Sequence, residues 1–367
     1  MNEREAMAIL VSAQKVSYAM RAKAIAEAGG AMALLEDPHV CASLLGLSGI
    51  ASIREAMKNA NRMLDALQES GVRLVVRGDE GYPRLLEQIA HPPHLLFVMG
   101  KTELNDPFPF SIVGTRRASA YGLRHTREIS RELARAGVSI ISGMAAGIDA
   151  AAHWGALDAV GRTIAVLGGA LDKPYPAENR MLMRRIIESG GRVVSEYPPG
   201  TAPTRYSFIQ RNRIIAGMSF GVLVSEAPMK SGAFSTARMA LDEGREVFAV
   251  PGDIDRPGSQ LPNLLIKEGA HMVTCSEDIL SHVVIEPNKA RRDRKKPKQV
   301  QTPVQTEVRS LDPQEKKVYD LLLESDMDFD ALSERSGIAA DELCGVLMMM
   351  ELDGIVSALP GLRYRLA

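Results

Sequence analysis

Within nine residues, Arg205-Tyr206-Ser207-Phe208-Ile209-Gln210-Arg211-Asn212-Arg213, the chain sets three arginines among two aromatic rings. A planar guanidinium offers paired donors to phosphate oxygens. An aromatic ring offers a flat face to any unstacked base. The mixture suits a single nucleic-acid strand better than a duplex or a small metabolite. A solvated loop with one phenylalanine in the core would have the same composition, so the setting has to decide.

The elements that must position this segment are legible around it. Between about 71 and 286, short β-branched runs at 110–113, 138–141, 163–167, 192–195, 221–224 and 246–250 alternate with amphipathic stretches at 123–136, 149–160, 178–189 and 233–243. Strands alternating with helices predict βαβ units and a parallel sheet. Runs at 72–77 and 95–99, around a helix at 83–89, predict strands at its front edge. The fold class is α/β: an extended Rossmann-like, doubly wound, mostly parallel sheet. Residues 214–219 are expected to form the helix that ties the arginine segment to the core, and Tyr206 has no assigned role.

Ligands of such a sheet bind where strand C-termini meet the following turns. Here those turns include Gly114-Thr115-Arg116-Arg117-Ala118-Ser119, Ser142-Gly143, Gly168-Gly169, Ser195-Glu196-Tyr197-Pro198-Pro199-Gly200 and Ser231-Gly232. A glycine turn that opens a helix points free N–H groups at an anion. Several on one sheet edge, beside Arg116 and 205–213, predict a phosphate-rich polymer rather than one phosphate.

Other chemistries fit poorly. The first strand is not followed by Gly-x-Gly-x-x-Gly, and Gly-x-x-x-x-Gly-Lys-Ser/Thr is absent. The seven histidines show no metal-binding spacing. His91 and His94 flank a Pro-Pro turn, Asp149 reads as a helix N-terminal anchor, and His153 as a packed residue. Asp253 and Asp255 read as a loop rim rather than a metal pair. No catalytic residue, cofactor or metal is expected. The three cysteines lie far apart, which fits a reducing cytoplasm. No apolar run approaches the roughly 18 residues of a membrane span, and the mixed-charge N-terminus is not a signal peptide.

Net charge is −1, so any nucleic-acid site must be a local patch. The domain reading is a small helical domain at 1–70, the Rossmann-like domain at 71–286, a basic disordered linker at 287–309 and a domain at 310–367. Residues 44–50 read as a helix-hairpin-helix-like turn or a plain glycine connection between packed helices. The last domain reads as three helices, 313–324, 330–336 and 340–353, then a hairpin at 355–366: a winged helix. Its third helix carries Asp341, Glu342, Glu351 and Asp353 and no basic residue. That favours a protein contact over insertion into a duplex groove.

Taken together, the motifs resemble the DprA (Smf) family. They are Ile112-Val113-Gly114-Thr115-Arg116, Ser142-Gly143-Met144-Ala145-Ala146-Gly147-Ile148-Asp149, Gly168-Gly169-Ala170-Leu171-Asp172 with Tyr175-Pro176, Arg211-Asn212-Arg213-Ile214-Ile215-Ala216-Gly217 and Val250-Pro251-Gly252. The resemblance implies a SAM-like helical domain, an extended Rossmann domain and a winged helix. It implies a non-enzymatic homodimer, paired through the Rossmann-like domain. Such a protein binds and protects incoming single-stranded DNA and loads RecA recombinase during natural transformation. Carried over by position, Arg116 and Arg205 hold phosphates, Phe208 stacks on a base, and Arg211, Asn212 and Arg213 line the same pocket. The DNA-contacting set is completed by Gly114, Thr115, Ser119, Ser142, Gly143, Gly168 and Gly232. The segment departs from the family where Ile209 follows Phe208, and in the rim Ser259-Gln260-Leu261-Pro262-Asn263. The competing reading is a nucleotide-processing enzyme of the lysine-decarboxylase-like phosphoribohydrolase group, but its Pro-Gly-Gly-x-Gly-Thr-x-x-Glu signature is missing at 231–238.

Overall fold

The computed structural model describes residues 1–282 apart from 102, 160 and 161, and residues 311–366 apart from 339–342, 344–345, 348–349, 351–354 and 360–362. The linker expected at 287–309 and most of the acidic helix expected at 340–353 lie outside the described residues. Two compact units are present, Met1–Asn288 and Lys289–Ala367.

The first unit is built on nine strands: β1 (Arg73–Val76), β2 (Leu95–Gly100), β3 (Pro109–Val113), β4 (Ser139–Ser142), β5 (Thr163–Val166), β6 (Arg192–Ser195), β7 (Gly221–Val224), β8 (Glu246–Ala249) and β9 (His271–Met272). Their order is β1-β2-β6-β5-β4-β3-β7-β8-β9. Strands β3 to β9 are mutually parallel, while β1 and β2 add an antiparallel edge beyond β6. The chain runs outward from β3 through β4 to β6, then returns to β7 on the other side of β3. The switch point of the sheet therefore lies between β3 and β7, where a doubly wound sheet opens a crevice.

Burial on both faces explains the apolar runs. Val113, Ile141, Val166, Val222 and Val224 pack on one face against Ile214, Ile215 and Ala216. Phe110, Ile112, Ile140, Leu223 and Phe248 pack on the other against Ile129, Leu133, Ile148 and Ala152. The helical segment Glu3–Ser12 to Ala60–Glu69 shares one continuous core with Leu95, Phe97, Ala165 and Val193 of the sheet. Within it, Gly46 takes φ 61° and kinks the helix Ala42–Lys58. A side chain is strained in that left-handed conformation, so the glycine serves a bend between two helical halves.

One element differs from expectation. The whole of Arg205–Gly217 is a single helix, not a loop followed by a helix from 214. Its start is set by Thr204: the threonine side chain accepts from the Ser207 N–H, and the Ser207 side chain accepts from the Thr204 N–H. This reciprocal cap satisfies two otherwise orphaned donors. Ser and Thr at that spacing are the local signal, and the abundant arginine and aromatic residues obscure it.

The second unit holds the capped helix Pro313–Glu324, the helix Phe329–Ser336 and a three-stranded sheet of β10 (Met327–Asp328), β12 (Arg363–Leu366) and β11 (Val356–Leu359), in that order. Its own core includes Val318, Leu322, Leu332, Leu343, Leu347 and Val356.

Candidate nucleic-acid interface

A cleft of about 830 Å³ opens at the C-terminal edge of the sheet, beside the switch point. The turn after β3 forms one wall through Gly114, Thr115, Arg116 and Arg117. The helix Arg205–Gly217 forms another through Arg205, Phe208, Arg211 and Asn212, and the third wall is Lys230 with the Ser231-Gly232 start of the helix Gly232–Asp242. A helix presents residues spaced three or four apart on one face. Residues 205, 208 and 212 therefore share the cleft side of theirs.

Arg116, Arg117, Arg205 and Lys230 are exposed, and among the described residues none of them has a carboxylate within ion-pair distance. The guanidinium of Arg116 lies over the Phe208 ring, 5.0 Å from its centroid. The Tyr175 ring lies 5.6 Å from Phe208 at 48° and is 50% exposed. Unpaired cations beside tilted aromatic rings offer phosphate contacts and stacking faces within one cleft. Gly232 is exposed, and a Cβ there would meet nothing within 4 Å. Its helix start therefore faces open space with its positive dipole end.

The expected residues do not all play the same part. Arg211 is only 4% exposed, and its guanidinium donates to the carbonyls of Gly143, at 2.8 Å, and Val166. It acts as a strut between the helix and the ends of β4 and β5. Burial lowers its pKa to about 10, so it stays charged at neutral pH. Burial pushes the Asp149 carboxyl up, against the pull of Arg211 and Arg116. Asp149 sits in the first turn of Ile148–Leu157 and accepts from Ala145 N at 3.4 Å, in keeping with an anchoring role. Asn212 is buried and donates to Ser235 Oγ at 2.9 Å, tying the two walls together.

Arg213 requires a correction. It does not line the cleft: the helical turn carries it to another side, where it pairs with a half-buried Glu196. Burial raises the Glu196 carboxyl against the pull of Arg213 and Arg21. Ser142 does not line the cleft either, because its buried hydroxyl donates to Ile112 O at 2.6 Å. Gly143 and Gly168 lie one layer beneath the cleft. A Cβ on Gly143 would strike the Arg211 guanidinium, and one on Gly168 would come within 2.7 Å of the Phe208 ring. These glycines make room for a side chain from within the protein. Ser119 lies outside the cleft and caps the helix Ala120–Arg135.

Three cleft residues escape sequence reasoning: Arg117, Tyr175 and Lys230. Arg117 shares the glycine turn of Arg116, and nothing in its spacing marks it apart from its neighbour. Tyr175 carries a signal, an aromatic residue before proline in a glycine-rich turn, and Lys230 another, a cation just before a helix cap. The packed reading of His153 and the surface reading of Asp253 agree with the structure. His153 is buried, with Nδ1 2.7 Å from Thr163 Oγ1, and Asp253 lies at the surface beside Arg256. Among the described residues no His/Cys/Asp/Glu group has metal-holding geometry, and no helix is long and apolar enough to cross a membrane.

Comparison with known proteins adds a family. Residues 73–284 match the family model described as DNA recombination-mediator protein A, and residues 302–361 match the DprA winged helix domain. The chain is 37% identical over 344 residues to Protein Smf of Escherichia coli, covering 90% of this chain and 89% of that protein. It is 40% identical over 223 residues to the DNA processing protein DprA of Bacillus subtilis, covering 60% of this chain and 75% of that protein. The solved structure of DNA processing protein A from Streptococcus pneumoniae matches with a TM-score of 0.65 at 34% identity, over 78% of this chain and 99% of that one. A Helicobacter pylori structure, described as giving insight into the single-stranded DNA binding mode of DNA processing protein A, matches with a TM-score of 0.52 at 31% identity. It covers 58% of this chain and 96% of that one.

Proposed function

This chain belongs to the DprA/Smf family of DNA recombination-mediator proteins, and on that premise we propose that its cleft binds single-stranded DNA as a mediator of recombination. The observation that carries the reading is the unpaired Arg116 guanidinium lying over the Phe208 ring, with Arg205 and Lys230 on the facing walls. Arg116, Arg205 and Lys230 hold successive phosphates, and the Gly232 helix start takes another. A base stacks on Phe208 beside Tyr175, and the Arg116 guanidinium exchanges the ring face for a phosphate. Arg211 and Asn212 keep the walls in place. The role is binding and delivery rather than turnover, and it extends to a homodimer through the Rossmann-like unit that hands the strand to RecA recombinase in the cytoplasm. The single-strand binding mode described for the Helicobacter pylori protein supports the first part. Dimerisation and recombinase loading follow the family resemblance.

Fluorescence anisotropy with single- and double-stranded oligonucleotides tests the reading. Single strands should bind more tightly, with a log–log salt slope of about −0.7 per phosphate held. Phe208→Ala should cost roughly 1–3 kcal/mol of that affinity. If neither Arg116→Ala nor Phe208→Ala weakens binding, the cleft is not the site. Light scattering and a RecA filament-assembly assay check the dimer and the delivery step.

A further inference from the structure

The turn that carries Arg116 and Arg117 is gripped at both ends by one residue, Glu226, just beyond β7. Its backbone carbonyl accepts from Thr115 N at 2.6 Å. Its carboxylate Oε2 accepts from Ser119 N at 2.9 Å and from Ser119 Oγ at 3.1 Å. The Ser119 hydroxyl also accepts from Gly122 N at 3.1 Å, capping the helix Ala120–Arg135. Three glycines are shaped around this residue. A Cβ on Gly114 would approach the Glu226 carbonyl oxygen to 2.6 Å, and one on Gly122 or Gly258 would overlap its carboxylate.

The place is informative. A doubly wound sheet holds ligand phosphates at the switch point, against the N-terminus of the helix after its first central strand. Here the turn from β3 into Ala120–Arg135 meets the end of β7 at that point, and the chain's own carboxylate is seated there. An anion at a helix N-terminus is favourable whether it is a ligand or a side chain. With that seat filled from within, Arg116 and Arg117 project into the cleft instead of folding around a nucleotide phosphate.

We propose that Glu226 is a positioning residue for single-strand binding: its carboxylate fills the switch-point anion seat and holds the Arg116 turn open toward the cleft. This rests on the single-strand reading of the cleft. Charge favours the seat modestly, and reach to Ser119 is what holds the turn. Glu226→Gln keeps an acceptor at the same distance without the charge, whereas Glu226→Asp keeps the charge one methylene short of Ser119.

The full chain is titrated against a labelled single strand at several salt concentrations. Glu226→Gln should bind within about three-fold of the wild type. Glu226→Asp should bind about ten-fold more weakly, with a salt slope shallower by about 0.7, the value of a single phosphate. Adding Arg116→Ala to Glu226→Asp should cost much less than Arg116→Ala alone, because the two changes remove one interaction. Urea denaturation confirms that each variant is folded. If Glu226→Asp does not fold, Ser119→Ala takes its place, with a loss of about three-fold and the same shortfall from additivity. Equal or tighter binding by Glu226→Asp would show that reach to Ser119 does not matter and overturn the proposal, as would strict additivity with Arg116→Ala. An Arg116→Ala protein that binds normally would instead sink the reading of the cleft itself, and this proposal with it.

Discussion

Arg116 and Arg211 bring the same charge to one cleft and do different work there. Arg116 is exposed and touches an aromatic ring, so its guanidinium is available to a ligand. Arg211 is buried, and its guanidinium bridges the carbonyls of Gly143 and Val166. Truncating it removes the donor to the Gly143 and Val166 carbonyls and leaves Asp149 without the stronger of its two counter-charges. Removing one partner of a buried charge arrangement costs about 3–5 kcal/mol. Arg211→Ala should therefore lower the unfolding free energy from urea denaturation by that order, while Arg116→Ala should change it by no more than about 0.5 kcal/mol. Arg211→Lys should not restore the wild type, because an ammonium lacks the planar fork that reaches both carbonyls. Equal stability of the Arg116 and Arg211 alanine variants would contradict this division of labour.

At the scale of elements, the helix Arg205–Gly217 is both a wall of the cleft and part of the core. Its first turn holds Arg205 and Phe208, and the reciprocal cap of Thr204 and Ser207 holds that turn. The Ser207 hydroxyl also donates to the Gly168 carbonyl, fastening the helix start to the turn after β5. Removing a threonine cap costs about 1 kcal/mol and frays the turn behind it. Thr204→Ala should accordingly speed amide exchange at Ser207 and Phe208 and weaken single-strand binding several-fold, with the global midpoint falling only by about the value of the cap. Unchanged affinity with faster exchange would mean that the first turn does not touch DNA. The turn of Arg116 and the helix Gly232–Asp242 complete the cleft from different crossovers, so each wall can be perturbed separately.

Across the first unit, several partly or fully buried titratable groups make stability depend on pH. His94 stacks on Tyr18 at 4.4 Å, and burial, reinforced by Arg21, lowers its pKa to about 4. His153 is lowered to about 3, chiefly by burial. Both folded values lie below that of an unfolded histidine, so the unfolded chain takes up these protons first. Their contribution is complete above about pH 6.5 and is lost as pH falls toward the folded values, at roughly 1.4 kcal/mol per pH unit for each proton. Asp149 and Glu196 are raised by burial and act in the opposite sense, gaining stability as pH falls through their folded values toward the ordinary carboxylate range. The comparison with His94→Asn isolates one histidine: between pH 6.5 and about 4 the variant's stability should fall less steeply than the wild type's, by about one proton. Parallel urea-midpoint profiles would refute it. Much of this architecture is legible in the chain before folding. Apolar runs of four or five residues, such as those at 110–113 and 221–224, announce buried parallel strands because burial on both faces demands continuous hydrophobicity. The ordered motifs around Arg116 and 205–217 announce the family and the cleft, because several glycine turns at strand ends beside arginines can present N–H groups and charge to phosphates. Three things needed the third dimension. Whether an arginine meets solvent, a carbonyl or a carboxylate depends on where its element points it: the turn after β3 exposes Arg116, and helical phase sends Arg211 to the carbonyls of Gly143 and Val166 and Arg213 to Glu196. Whether a glycine admits a ligand or a neighbour depends on what packs above it, and Gly143 and Gly168 admit Arg211 and Phe208. The grip of Glu226 on the Arg116 turn joins residues more than a hundred positions apart, and only the adjacency of β3 and β7 brings them together.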